Sequence, residues 1–210
     1  DNGTERPYNH MEEGEEGYMD DDGNEVYIVK LERGYLSIMF SVVQTIILIA
    51  MMVQCKVAPM RINPMFGPYP DALSYWGGKN AYLILEDNEW WRLITPMFLH
   101  AGVIHLVCNV AVQVDTCAFF EREWGSKKWL FIYIFSTIGS SILSVISLPN
   151  TVSVGSSGAV CGLFGAKLAE IICRSYESQK TQQGRLGHEV RGVQLRNVLC
   201  SVILIGAFSF

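Results

Sequence analysis

The sequence predicts an all-α, polytopic membrane protein folded as a bundle of helices. Hydrophobic residues make up 50% of its 210 residues and charged residues 18%, whereas an ordinary soluble domain carries roughly 25% charged residues. Several apolar runs reach about twenty residues, the length at which a helix spans the hydrocarbon core of a bilayer. Together these two observations predict that most of the chain lies in a membrane.

Composition and charge also exclude other classes of protein, among them a secreted disulfide scaffold and a coiled coil. A net charge of −5, without a basic stripe, argues against a nucleic-acid partner. No cysteine pair has the CxxC spacing of a metal site, so we expect neither a metal nor a cofactor. All six cysteines lie inside or beside apolar segments, which predicts small, core-facing side chains. They are Cys55, Cys108, Cys117, Cys161, Cys173 and Cys200.

Residues 1–33 form the first predicted domain, an acidic, disordered and cytoplasmic tail. Within it, residues 1–30 hold ten acidic and two basic side chains. A segment with so much charge and so little apolar surface does not bury enough area to fold. The second predicted domain, residues 34–210, is the membrane domain, which we expect to be incomplete and to end within a fifth helix.

The first two membrane helices are predicted at residues 36–55 and 101–120. The first has no charged side chain, as expected of a helix that faces lipid. The second contains His105 and Asn109 among several polar residues, which a bilayer tolerates only where they face protein or enclosed water. Residues 56–95 between them are rich in glycine, proline and tryptophan, which predicts an interfacial, partly ordered loop.

Three more helices are predicted along the rest of the chain. The third runs from about Trp129 to Leu148, and the fourth from about Ser157 to Cys173. Residues 174–196 are polar, and the apolar run at residues 197–210 begins the fifth helix. That run is about six residues too short to cross a bilayer.

The distribution of lysine and arginine predicts the orientation of the helices. Five basic residues lie in the loop at 174–196 and three in the loop at 121–128, whereas the connection between the third and fourth helices has none. Basic loops stay on the cytoplasmic side, so these two loops and the N-terminus are predicted to be cytoplasmic. The loop at 56–95 then faces the lumen or the exterior, and the Asn2-Gly3-Thr4 sequon should stay unglycosylated.

His105 and Asn109 form the first candidate site, near the outer start of the second helix. Their i, i+4 spacing sets both on one helix face, one turn apart. Both side chains can donate hydrogen bonds, as the oxyanion of an acyl-transfer reaction requires. The alternative is that they are polar contacts between helices or line buried water.

The second candidate site is the segment VSVGSSGAVCGLFGAKLAEI at residues 152–171. Gly155 lies in a charge-free loop that leads into the fourth helix with Ser157 at its N-terminus, where backbone N–H groups and the helix dipole favour an anion. Gly158, Gly162 and Gly165 form a stripe that permits tight contact with another helix. The alternative is an N-cap on a helix whose small residues only serve packing.

Four motifs in the same order resemble the rhomboid intramembrane serine proteases, over about residues 60–173. NPMFGP in the first loop is similar to the eukaryotic members, and VGSSGAVCGLFGA contains their Gly-x-Ser-Gly motif. The other matches are Trp91-Arg92 followed by LITPMFLHAGVIHLVCN, and Glu121-Arg122 before Trp124-Gly125.

The resemblance implies a membrane core of six or seven helices, of which five are present here, and a serine endopeptidase activity. It implies that Ser157 is the nucleophile, that His105 and Asn109 hold the oxyanion, and that Trp91 and Arg92 pack the fold from the side. It further implies single-pass transmembrane protein substrates within the lipid bilayer. For a protein of this kind we expect an endomembrane (Golgi-like) or plasma-membrane location.

The family's general base is a histidine of the sixth helix, and this position is not matched here. The four histidines are His10, His100, His105 and His188. We therefore expect these 210 residues alone to be inactive for want of that base. The alternative is a catalytically inactive relative that binds transmembrane clients and controls their trafficking. A small transporter is a third possibility, which Asp115 alone supports only thinly.

Overall fold

A computed structural model of the chain describes residues 16–19, 25–28, 34–175, 192–196 and 198–203. The chain divides into two compact units, Asp1–Glu32 and Arg33–Phe210. Each unit is treated by itself below.

The first unit contains an antiparallel hairpin made of β1 (Glu16–Met19) and β2 (Glu25–Ile28). This differs from the expectation of a disordered tail. The reason is local: Tyr18 pairs with Val26 in the register, and aromatic and β-branched residues favour strands. The remaining residues of the predicted tail lie outside the described part of the chain.

The second unit is a helical bundle, which confirms the all-α polytopic fold. Three helical segments are long and apolar enough to cross a membrane, namely Tyr35–Cys55, Val103–Trp124 and Ser126–Ser147. The helices of the unit up to residue 175 are α1 (Tyr35–Cys55), α2 (Pro70–Tyr75), α3 (Ala81–Leu85), α4 (Val103–Val112), α5 (Ala118–Trp124), α6 (Ser126–Ser147) and α7 (Ser157–Ser175).

A π-helical turn at Gln113–Cys117 joins α4 to α5 within the second span. π-Helical turns of this kind are frequent at functional sites. Here the turn directs Gln113 into the bundle, where its amide donates to the Ser41 hydroxyl at 2.8 Å and accepts from the Tyr133 hydroxyl at 2.8 Å. His105, Asn109, Gln113 and Thr116 of the second span are buried and thus face protein, as the sequence predicts, whereas Asp115 is exposed.

Glu121 joins the start of α1 to the end of α5. Its buried carboxylate accepts the backbone N–H groups of Leu36 and Ser37 at 2.9 and 2.8 Å, where the positive end of the helix dipole favours an anion. It also accepts the hydroxyl of Ser126 at 2.7 Å, the first residue of α6. The start of α1, the end of α5 and the start of α6 therefore lie on the same side of the bundle.

The same side of the bundle also holds the C-terminal half of α7. The buried ammonium of Lys167 binds both carboxylate oxygens of Glu123 at 2.7 Å and Glu170 at 2.9 Å. The indole N–H of Trp124 donates to Glu170 at 2.9 Å. Since α7 begins at Ser157, that serine lies toward the opposite end of the bundle, the end of the loop at 56–95.

Close packing between α6 and α7 depends on two of the three predicted small residues. A Cβ at Gly158 would collide with the side chain of Ser140, and one at Gly162 with that of Ser136. Gly165 faces open space instead, with no atom within 4 Å of a Cβ added there. The predicted stripe therefore reaches only as far as Gly162.

The last described helix, Gly192–Ile203, starts earlier than the sequence predicts. Residues 192–196, expected in a polar loop, are helical. Val198 packs into the main core, and the Ser201 hydroxyl lies 3.2 Å from that of Thr116. Residues 204–210 of the predicted fifth helix lie outside the described part of the chain.

The expectation of core-facing cysteines is wrong for three of the six. Cys117 is buried, and Cys55 and Cys108 are partly buried. Cys161, Cys173 and Cys200 are exposed on the surface of the bundle. In a membrane protein the apolar environment of a cysteine can be lipid, so an apolar flanking sequence does not distinguish the core from the lipid-facing surface.

Candidate active site

Arg92 holds together parts of the first loop, residues 56–95, that are distant in sequence. It lies in a 3₁₀ turn at Trp90–Leu93 and is buried. Its guanidinium donates to the carbonyl oxygens of Ser74 at 2.6 Å and Gly78 at 3.0 Å. It also pairs with Glu89 and lies over the Trp91 ring, 4.5 Å from the ring centroid. Trp91 and Arg92 therefore organise the loop around them.

Ser157 is the first residue of α7, as the sequence predicts. The loop before it turns at Gly155, whose φ of +118° is strained for any residue with a side chain. The Gly155 N–H donates to the Pro96 carbonyl oxygen at 2.8 Å. The serine is thus held at a helix N-terminus by a turn that needs glycine.

His105 and Ser157 lie on either side of Gly155. A Cβ added to that glycine would lie 2.9 Å from His105 Cε1, 3.0 Å from His105 Nε2 and 3.7 Å from Ser157 Oγ. The ring and the hydroxyl therefore border the same small space. His105 Nε2 is buried and has no hydrogen-bond partner among the described residues.

The protonation of the His105 ring follows from its other nitrogen. The Ala101 backbone N–H donates to His105 Nδ1 at 3.4 Å, so Nδ1 is an acceptor and carries no proton in the neutral ring. The proton is then on Nε2. A hydrogen-bond donor therefore points into the space beside Gly155 and Ser157.

Asn109 lies one turn below His105 and contacts Ser156 rather than Ser157. Its Nδ2 donates to the carbonyl oxygen of His105 at 2.9 Å, and its Oδ1 accepts the Ser156 hydroxyl at 3.2 Å. Ser156 is fully buried. Sequence reasoning missed Ser156, because the motif contains two adjacent serines and nothing in it says which one faces inward.

His100 is a second buried histidine beside the site. Its ring packs edge-on against His105 with centroids 5.2 Å apart. Burial, helped by the neighbouring His105, lowers the pKa of His100 to about 3, so the ring is neutral at physiological pH. Both ring nitrogens lack a hydrogen-bond partner within the described ranges. No pattern in the sequence predicts that this residue is buried.

A cavity of about 170 Å³ opens beside Ser157. Most of its lining comes from small and hydroxyl side chains of α6 and of the loop before α7, and one charged residue, Lys79, contributes to it. The lining residues are Lys79, Pro96, Ser140, Ser141, Ser144, Ser153, Val154, Gly155, Ser157 and Gly158.

The structure therefore brings together Ser157, Gly155, His105 and Asn109, while Trp91 and Arg92 lie in the loop beside them. Gly158 and Gly162 belong to the contact between α6 and α7. His10 and His188 lie outside the described residues, and within those residues no histidine hydrogen-bonds to Ser157 Oγ. The described part of the chain also holds no cluster of metal-ligating side chains.

Comparison with known proteins gives a match to one family. The model of the family described as Rhomboid domain matches residues 87–184. RHOMBOID-like protein 6, mitochondrial, from Arabidopsis thaliana is 42% identical over 114 residues, which are 54% of this chain and 37% of that protein. No solved structure matches the chain.

Of two other relatives, one is named a protease and the other is named inactive. Rhomboid-like protease 5 from Toxoplasma gondii is 38% identical over 99 residues, 47% of this chain and 12% of that protein. Inactive RHOMBOID-like protein 8 from Arabidopsis thaliana is 33% identical over 109 residues, 52% of this chain and 31% of that protein. The matched region spans about a third of the plant relatives and less of the Toxoplasma protein. The family thus includes both a protease and an inactive member.

Proposed function

We propose that this chain, which matches the Rhomboid domain model over residues 87–184 and RHOMBOID-like protein 6 over 114 residues, is a rhomboid-family protein and part of an intramembrane serine endopeptidase. Ser157 is its nucleophile, and its substrates are single-pass transmembrane proteins in the lipid bilayer. The observation that carries the proposal is the pairing of Ser157, at the N-terminus of α7, with the Nε2 donor of His105 across Gly155.

The proposed chemistry is acyl transfer from a peptide bond to the serine. Ser157 Oγ attacks the peptide carbonyl, and the negative charge that develops on the carbonyl oxygen needs hydrogen-bond donors already in position. The Ser157 N–H at the helix start and His105 Nε2 are two such donors. Asn109 supports these two donors through its contact with Ser156. The Asn109 NH2 group can become a third donor once the substrate displaces its hydrogen bond to the His105 carbonyl oxygen.

A serine hydroxyl also needs an adjacent base to lose its proton. His105 does not supply it, because the acceptor nitrogen of that ring is bonded to the Ala101 N–H. The family resemblance assigns the base to a histidine of a sixth helix, and among the described residues no histidine hydrogen-bonds to Ser157 Oγ. The proposal concerns the protein that includes that helix.

The second candidate function is client binding without catalysis, which the similarity to the inactive Arabidopsis relative favours. Such a protein would hold a transmembrane helix near α6 and α7 and control its trafficking. Ser157 would then be unreactive, and its replacement would leave client binding unchanged.

One experiment separates the two functions. The full-length protein, in proteoliposomes with a single-pass transmembrane substrate, is compared with Ser157→Ala and Ser156→Ala. A fluorophosphonate probe reports whether the serine is activated. We expect the wild type to be labelled and to cleave, Ser157→Ala to do neither, and Ser156→Ala to keep labelling at a reduced rate. A Ser157→Ala variant that cleaves the substrate at the wild-type rate would contradict the proposal.

The oxyanion roles are tested with substitutions on α4. His105→Ala removes the donor beside Gly155, and Asn109→Ala leaves the Ser156 hydroxyl without its acceptor. We expect each to lower kcat by roughly 10²–10³-fold, the cost of one oxyanion donor in other acyl-transfer enzymes. His105→Gln, which keeps an amide donor, is the matched variant and should retain more activity than His105→Ala. Equal loss in both would mean that the ring acts through packing.

A further inference from the structure

Lys79 is a buried lysine of the first loop, and the mechanism above gives it no role. Its side chain is almost fully enclosed, with 1% of its surface exposed, although lysine is almost never fully buried without partners. Its ammonium group donates to three carbonyl oxygens, those of Leu148 and Thr151 at 2.7 Å and that of Ser144 at 3.4 Å. Those carbonyls belong to the last turn of α6 and to the residues that follow it.

The position of the ammonium is favourable for a cation. The carbonyl groups at the C-terminus of a helix have no partners within that helix, and the negative end of the helix dipole attracts positive charge. Lys79 thus caps α6 from another part of the chain. Ser144 and Leu148 lie one turn apart at the end of that helix, and both bind the same nitrogen atom.

The backbone of Lys79 binds the same loop a second time. Its N–H donates to the Ser153 carbonyl oxygen at 2.9 Å, and the Ser153 N–H donates back to the Lys79 carbonyl oxygen at 3.1 Å. Ser153 precedes the Gly155 turn by two residues. Both the side chain and the main chain of Lys79 therefore hold the segment between α6 and α7.

Lys79 is connected in turn to the buried Arg92. Gly78, the residue before it, accepts a hydrogen bond from the Arg92 guanidinium at 3.0 Å. A chain of contacts therefore runs from Arg92 through Gly78 and Lys79 to Ser153, and ends at the loop that turns into Ser157. Lys79 also lines the cavity beside that serine.

A role as the missing base does not fit these contacts. A lysine base must be neutral and hold a free lone pair toward the serine. The three acceptors around Lys79 use all three protons of an ammonium group. The group acts as a fixed cation and a donor, which is what positioning requires.

We propose that Lys79 is a positioning residue for Ser157: it fixes the segment at residues 148–155 against the first loop and thereby sets the Gly155 turn beside His105. This inference rests on the proposed function of Ser157. Without the ammonium, the segment would keep its backbone pairing at Ser153 and lose its attachment to the end of α6. The serine would then spend less time in the reactive geometry, while substrate binding elsewhere in the bilayer would be unaffected.

The test compares Lys79→Met, Lys79→Arg and Lys56→Met in the full-length protein. Lys79→Met keeps the length of the side chain and removes the charge and the donors. Lys56→Met makes the same change at an exposed lysine of the same loop. We expect Lys79→Met to lower kcat at least tenfold with KM changed less than twofold, Lys79→Arg to recover at least a third of the wild-type kcat, and Lys56→Met to stay within twofold of wild type.

Hydrogen exchange supplies a readout that does not depend on activity. In Lys79→Met we expect backbone amides of residues 148–157 to exchange at least tenfold faster, with α1 and α4 unchanged. A normal exchange rate there, or a normal kcat, overturns the role of Lys79. If Lys79→Met exchanges faster but the fluorophosphonate probe does not label Ser157 in the wild type, the contact between Lys79 and residues 148–155 is supported. The proposed function of Ser157 is then contradicted instead. If Lys79→Met does not fold, the same two measurements on Lys79→Gln decide.

Discussion

Gly155 is the residue at which backbone conformation and chemistry meet. Its φ of +118° lies in a region that costs a residue with a Cβ about 1–3 kcal/mol. A Cβ there would also lie 2.9 Å from the His105 ring, closer than carbon atoms normally approach. The glycine therefore permits both the turn and the short distance between histidine and serine.

Gly155→Ala should abolish cleavage while the protein still folds, because the added methyl group pushes His105 away from Ser157. The matched control is Gly125→Ala, at a glycine with φ of +80° and no atom within 4 Å of the added Cβ. That variant carries the backbone strain without the collision. Thermal unfolding in detergent should show a loss of stability for both variants, larger in Gly155→Ala because of the collision with His105, and substrate cleavage should be lost only in Gly155→Ala. Comparable cleavage by the two variants would contradict the steric argument.

The residues of the site differ in how far the sequence could predict them. Ser157 follows from the helix start that Gly155 and the charge-free loop indicate, and His105 and Asn109 follow from their helical spacing. Ser156 and Lys79 do not, because their partners lie 47 residues away at Asn109 and about 70 residues away in the α6–α7 segment. No local pattern encodes contacts over such distances.

At the scale of elements, the order of the long helices was predictable, but not every helix was, since α2 and α3 lie in the first loop, where the sequence predicted none. Apolar length predicted the span of α1 to within one residue of Tyr35–Cys55. The π-helical turn at Gln113–Cys117 was not predicted, since it depends on Gln113 reaching Ser41 and Tyr133 in other helices. The hairpin of β1 and β2 and the early start of the helix at Gly192 were missed because polar, charged segments gave no clear period.

The contact between α6 and α7 sets the position of Ser157 at the level of whole helices. We expect Gly162→Ala to destabilise the protein by about 1–3 kcal/mol, because the methyl group has no room beside Ser136. Gly165→Ala, on the same helix but facing open space, should leave stability unchanged or raise it by up to about 1 kcal/mol, since alanine favours helix. Thermal unfolding of both variants checks this, and an equal change in stability at the two positions would contradict the role of the α6–α7 contact.

At the scale of the whole molecule, hydrogen bonds and ion pairs fix which helix ends share a side. Glu121 brings the start of α1 to the start of α6, and Lys167 brings α7 to the end of α5 through Glu123. That side also holds Arg122, Lys127 and Lys128. By the preference of basic loops for the cytoplasm, we propose that this side is cytoplasmic. The cavity beside Ser157 then opens toward the lumen or the exterior.

Glycosylation tests this orientation directly. The Asn2-Gly3-Thr4 sequon should stay unmodified, because a cytoplasmic N-terminus never meets the glycosylation machinery. As the matched control, a copy of the sequon inserted between Glu86 and Asp87, in an exposed part of the first loop, should become glycosylated. The measurement is a shift in electrophoretic mobility that glycosidase treatment reverses. Modification of Asn2 together with an unmodified insert would show the opposite orientation in the membrane. The cavity beside Ser157 would then lie on the cytoplasmic face.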